Sequence, residues 1–141
     1  MDFANCSATT SNKIISVSEN KRCFRIINKS KLTISKVLVD GCLITDDRVR
    51  CDFLFEIDNP ITTVFYVELK GSDIEHASKQ LSATIGYCKK YHSGLNIMSY
   101  IVASQVRVPK SGPGLQGIKK RFSKKCGSPL EIYTSSKTVQ V

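Results

Sequence analysis

The sequence predicts an α/β fold of the α+β kind, a central mixed β-sheet flanked by helices. Three observations carry this expectation. Runs of β-branched and aromatic residues, separated by turn signals, fill residues 23–69. A long helical pattern follows at 72–92, and then strand, helix and strand alternate. The chain has 141 residues and is 41% hydrophobic, enough apolar mass for the core of one domain over 1–141.

The elements follow in order. Residues 1–12 are small and polar, and read as a loose end. "CFRIIN" (23–28) and "LTISKVLV" (32–39) read as strands. Asp40-Gly41 is a two-residue hairpin signal, so "KVLV" is expected to turn back into a strand "CLIT". "RVRCDFLFEI" and "TVFYVELK" form a second hairpin with Asn59-Pro60 at its tip. Gly71 lets the chain turn sharply after it. Ser72 and Glu75 form a capping box for the helix. Ile74, Ala77, Leu81, Ile85 or Thr84, and Cys88 give that helix one apolar stripe. Lys89, Lys90 and His92 suit its C-terminal end, and Gly94 caps it. "NIMSYIVAS" (96–104) is a buried strand, 105–128 a basic Gly/Pro-rich loop and short helix, and "PLEIYT" (129–134) a last strand.

Charge and cysteine usage bound the function. No run of 18 apolar residues occurs, so no membrane span is expected. The N-terminus lacks the charged start and apolar stretch of a secretory signal. The six cysteines match no zinc spacing and read as reduced thiols of a cytoplasmic protein. The net charge is +9, and residues 104–141 hold eight Lys/Arg against one acid. That excess suits a phosphate-binding surface. Arg107, Lys110, Lys119, Lys120, Arg121, Lys124 and Lys125 are its candidate contacts, with a solvated basic tail as the plainer reading.

The second hairpin carries the chemistry. With its centre at Pro60, Asp52 lies opposite Glu68, and Lys70 shares their face. Phe53, Phe55, Ile57, Phe65, Val67 and Leu69 share the other face, which is expected to be the core, leaving the charges outside it. Two close carboxylates repel unless a cation stands between them. Oxygen ligands of this kind suit Mg²⁺ (or Mn²⁺), and the Leu69 carbonyl between the charged residues is a further candidate ligand. A lysine beside such an ion can orient an attacking water. Asp40 reads as a turn residue and His76 as an exposed helix residue.

These residues resemble the PD-(D/E)xK nuclease superfamily, with its restriction-endonuclease-like fold. The resemblance rests on Asp52 on one strand, Glu68-Leu69-Lys70 on the next and a helix after them, and it covers roughly residues 36–104. It implies that Asp52 and Glu68 bind Mg²⁺ and that Lys70 assists catalysis. It also implies a role for Gln80, like the helix glutamine of some branches. Those branches often carry tyrosine four positions on, where this chain has Thr84. Cys51 replaces the motif's proline, and Glu19 is the candidate for a glutamate near the family's N-terminus. The implied activity is metal-dependent hydrolysis of DNA, rather than RNA, in defence or repair, by a homodimer or with a partner protein. The alternatives are a catalytically inactive nucleic-acid-binding or assembly subunit of the same fold, and a protein-interaction domain with a basic tail.

Overall fold

A computed structural model describes residues 1–69, 71–107, 112 and 114–141. Lys70 and Lys110 therefore lie outside the described residues. In chain order the elements are α1 (Phe3–Cys6), β1 (Ser7–Thr10), β2 (Ile14–Glu19), β3 (Arg22–Ile27), β4 (Ile34–Leu38), β5 (Phe53–Ile57) and β6 (Thr63–Glu68). Then come α2 (Ile74–His92), β7 (Asn96–Ala103), α3 (Leu115–Cys126), β8 (Leu130–Thr134) and β9 (Ser136–Gln140).

Two sheets form. The larger has the order β1-β4-β5-β6-β7-β8, antiparallel from β1 to β6 and parallel from β6 to β8. The sheet is therefore mixed and flanked by helices, as the strand–helix alternation predicts. The smaller sheet, β2-β3-β9, lies on its other face. Its β2–β3 hairpin turns at Asn20-Lys21, both with positive φ, a two-residue loop without the glycine that marks such turns most clearly.

The hairpin register is the expected one. Phe53 pairs with Val67, Phe55 with Phe65 and Ile57 with Thr63. The expected single core face is corrected, because both faces are buried. Phe55, Phe65, Val67 and Leu69 pack with Phe24, Ile26 and Tyr100 between the sheets. Leu54, Val64 and Tyr66 pack under α2 with Ala77, Leu81 and Cys88. The face carrying the charges is thus a second core.

Four other expectations are corrected. "CLIT" forms a compact turn with one bridge, Asp40 to Ile44, in place of a strand. Both edges of β4 are already taken, by β5 and by β1, so no edge is left for it. Residues 1–12 are not a loose end: they supply α1 and β1, and Cys6 is disulfide-bonded to Cys42. That bond also corrects the reading of six reduced thiols, leaving Cys23, Cys51, Cys88 and Cys126 free. Finally, Asp73 caps α2 by accepting from the His76 N–H, one residue later than the expected Ser72. Among the described residues no helix is long and apolar enough to cross a membrane.

Candidate functional site

The site lies where β5 begins and β6 ends. Beyond Phe53 and Val67 the backbone ladder stops, yet the next N–H groups are buried and need acceptors. Side chains provide them. The Asp52 N–H donates to Glu68 Oε1 at 3.1 Å, and the Leu69 N–H donates to Asp52 Oδ2 at 2.9 Å. The two carboxylates thus clasp opposite strands in a reciprocal pair. Glu68 is 0% exposed and Asp52 5%. The Asp52 carbonyl in turn accepts from the Val39 and Asp40 N–H groups at 3.0 and 3.3 Å, drawing the Asp40 turn to the clasp.

Helix α2 holds the entry to β5. Thr84 Oγ1 accepts the Cys51 N–H at 2.9 Å and donates to the Gln80 carbonyl at 2.8 Å. Gln80 Nε2 donates to the Arg50 carbonyl at 3.1 Å. Burial pushes the Cys51 thiol well up from its usual range, against the Thr84 hydrogen bond, so it is no nucleophile.

Asp52 borders two clefts. The first, of about 210 Å³, is lined by Asp40, Arg48, Val49, Arg50, Asp52, His76 and Gln80. Asp40 Oδ1 takes Arg50 Nε at 3.0 Å, and the Arg48 guanidinium lies 4.9 Å from the Tyr87 ring centroid. The second, of about 230 Å³, brings Glu19 from the end of β2 to Asp40, Asp52 and Phe53. This end of the sheet is the carboxyl end of β6 and the amino end of α2, where open α/β sheets bind ligands. Gly71, at φ 103°, makes the left-handed turn between them. Arg107 is close by, bridging Asp73: its N–H meets the Ser72 carbonyl at 3.0 Å.

The structure brings Asp52, Glu68, Leu69 and Gln80 together, and adds Asp40 and Glu19. The basic residues of α3 stand elsewhere. Ile118 and Phe122 anchor α3, and Arg121 reaches Glu75 at 3.2 Å. The groove between the helices is bordered by Glu75, Ser78, Lys79 and Ser82 of α2, on the flank away from His76 and Gln80 by helical spacing. Lys119, Lys120, Lys124 and Lys125 belong to that side of the molecule. Arg48 and Arg50 are the cleft cations that sequence reasoning missed. Their signal was the "RVR" run entering β5.

His92 stands in the last turn of α2, as expected, and is buried there: it is 4% exposed, with Nδ1 2.5 Å from the Tyr66 hydroxyl and Nε2 2.7 Å from Glu56 Oε2. Tyr66 ionises far above its ordinary range, chiefly through burial, so its hydroxyl keeps its proton.

Among the described residues no group of three or more His, Cys, Asp or Glu is arranged to hold a metal ion. The ligand candidates are the Asp52 and Glu68 carboxylates and the Leu69 carbonyl. No family model, curated protein or solved structure matches the chain.

Proposed function

We propose that this chain is a Mg²⁺-dependent nuclease that hydrolyses phosphodiester bonds of DNA, on the restriction-endonuclease-like core of the PD-(D/E)xK superfamily. The observation that supports it best is the Asp52–Glu68 clasp at the β5–β6 end, whose Asp52 borders a cleft that Gln80 and Asp40 also line. The β4–β5–β6–α2–β7 succession agrees with such a core.

The donor set fits a hard cation, because it is all oxygen. Asp52 and Glu68 would hold Mg²⁺ or Mn²⁺, with the Leu69 carbonyl as a further ligand. When bound, the ion lowers the pKa of a coordinated water and offsets charge on the scissile phosphate. Lys70 is assigned to orienting the attacking water, and Gln80 to positioning beside Asp52. Arg107 supplies positive charge for the DNA backbone near the clefts, and Arg48 and Arg50, paired with Asp46 and Asp40, supply guanidinium donors there. The cytoplasmic setting belongs to this reading on its four free thiols, and Cys6–Cys42 pulls the other way.

A catalytically inactive nucleic-acid-binding subunit is the second reading. One observation favours it: both carboxylates already satisfy buried ladder N–H groups, a use that needs no metal.

Incubation with plasmid, linear duplex and single-stranded DNA, with Mg²⁺ or Mn²⁺ or with chelator, separates the two. Glu68→Gln keeps an oxygen for the Asp52 N–H while removing the charge. Cutting is expected to need metal and to fall roughly a hundredfold or more in Glu68→Gln, with the urea midpoint held. Glu68→Ala also strands that N–H, at about 1–3 kcal/mol of stability. Binding without cutting favours the second reading, and neither binding nor cutting sinks both.

A further inference from the structure

Residues 1–6 lie against the last turns of α2. Met1 Sδ stands 3.9 Å from the Cys88 thiol. The Phe3 ring meets Tyr91 with centroids 5.0 Å apart and His92 edge-on at 5.8 Å. Positions 88, 91 and 92 are neighbours on one helical face. Met1 and Phe3 therefore cover one patch of α2. In that patch Cys88 is fully buried and His92 nearly so. Burial pushes the Cys88 thiol up to about 11, and the Met1 ammonium is near enough to act the other way.

The cover has little of its own to hold it. Helix α1 is four residues long and contains no buried residue. A helix that short is not stable by itself. Two ring contacts are a modest return for ordering six residues. Strand β1 anchors the chain to β4 only from Ser7 onward. What fixes the segment is the bond from Cys6 to Cys42, in the turn that follows β4. Such a tether keeps Met1 and Phe3 at high effective concentration over α2. Cys6 and Cys42 are both only half-buried, within reach of a small reductant.

We propose that Cys6–Cys42 is a redox latch on this cover: a dithiol reductant opens it, residues 1–6 leave α2, and Cys88 becomes accessible to thiol-directed modification. One thiolate of the reductant attacks the bond and forms a mixed disulfide. Its second thiolate then closes a cyclic disulfide, and the protein gains two thiols carrying the two protons the reductant gave up. The state of one half-buried bond thereby sets the reactivity of a second, buried thiol. The latch stands independently of the nuclease assignment.

The test is a timed pulse of iodoacetamide on the folded full chain, before and after treatment with dithiothreitol and its removal. Labelling is read at each cysteine by peptide mass spectrometry. Reduction is expected to speed Cys88 labelling about tenfold or more, as a local opening does. Cys51, fully buried farther along α2 and held through its N–H by Thr84, is expected to stay protected. The Cys6→Ser, Cys42→Ser variant is expected to label Cys88 at the fast rate without reductant. The proposal is overturned if Cys88 labelling is unchanged once Cys6 and Cys42 are reduced, or if Cys51 speeds up equally, which would mean general loosening. It is also overturned if dithiothreitol leaves the bond intact in the folded chain, or if the double variant labels slowly.

Discussion

Cys51, Cys88 and Tyr66 are buried together beneath α2, and burial raises the ionisation of each. The Cys88 thiol is pushed up to about 11. An unfolded chain loses these thiol protons near pH 9, while the folded chain keeps them. The folded state then binds more protons, so this contribution is intact below about pH 8.5 and falls as pH rises. The urea midpoint is expected to drop between pH 8 and pH 11, and Cys88→Ala to flatten part of that drop. A slope unchanged in the variant would refute the assignment. At this scale the sequence was informative about pairs and silent about enclosure. A hairpin centred on Pro60 put Asp52 opposite Glu68, and parity put both on one face. Neither could show that α2 covers their face, because alternation of charge and apolar residues reads the same on a solvated face as on a satisfied buried one. Helical spacing put His92 in the last turn of α2, where it stands, and was silent about Tyr66 and Glu56, which are distant in sequence and lie against it.

Helix α3 is the element whose role is most open to measurement. It presents Lys120 and Lys124 to solvent, and neither lines the Asp52 clefts. A duplex held at the clefts can reach α3 as well. If it does, Lys120→Ala with Lys124→Ala lowers the slope of log K against log salt by roughly two, one per lost phosphate contact. An unchanged slope would make the basic face a solvated surface and confine binding to the Arg48 and Arg50 side. The elements themselves were legible where local signals are strong. The β5–β6 hairpin, α2, β7, α3 and β8 follow from alternation, helical spacing and turn residues. The "CLIT" strand failed because strand propensity does not say whether a free edge exists, and β1 had taken it. The β2–β3 hairpin was missed because Asn20-Lys21 is a weak turn signal beside Asp-Gly.

The molecule as a whole is tied by one covalent link between its first residues and the turn that carries Asp40. Cys6 and Cys42 are 36 residues apart. Closing such a loop limits the unfolded chain, so reduction is expected to cost about 2–4 kcal/mol of stability, read as a lower urea midpoint with dithiothreitol. The Cys6→Ser, Cys42→Ser variant should show no such loss, and a wild-type midpoint indifferent to reductant would sink the idea. Cysteine spacing could not reveal the pair, since only the β1–β4 pairing brings the two together. Ser135 has a different kind of consequence. At φ 68° it carries the chain from β8 into β9, and its N–H and carbonyl join Ala103 of one sheet to Cys23 of the other. Cys23 then pairs with Ser136 across almost the whole sequence. During synthesis on a ribosome, β3 leaves the exit tunnel early and its outer edge has no neighbour until β9 emerges. While the residues between β3 and β9 are being made, the nascent chain thus presents an open strand edge, the kind that recruits chaperones or other nascent chains.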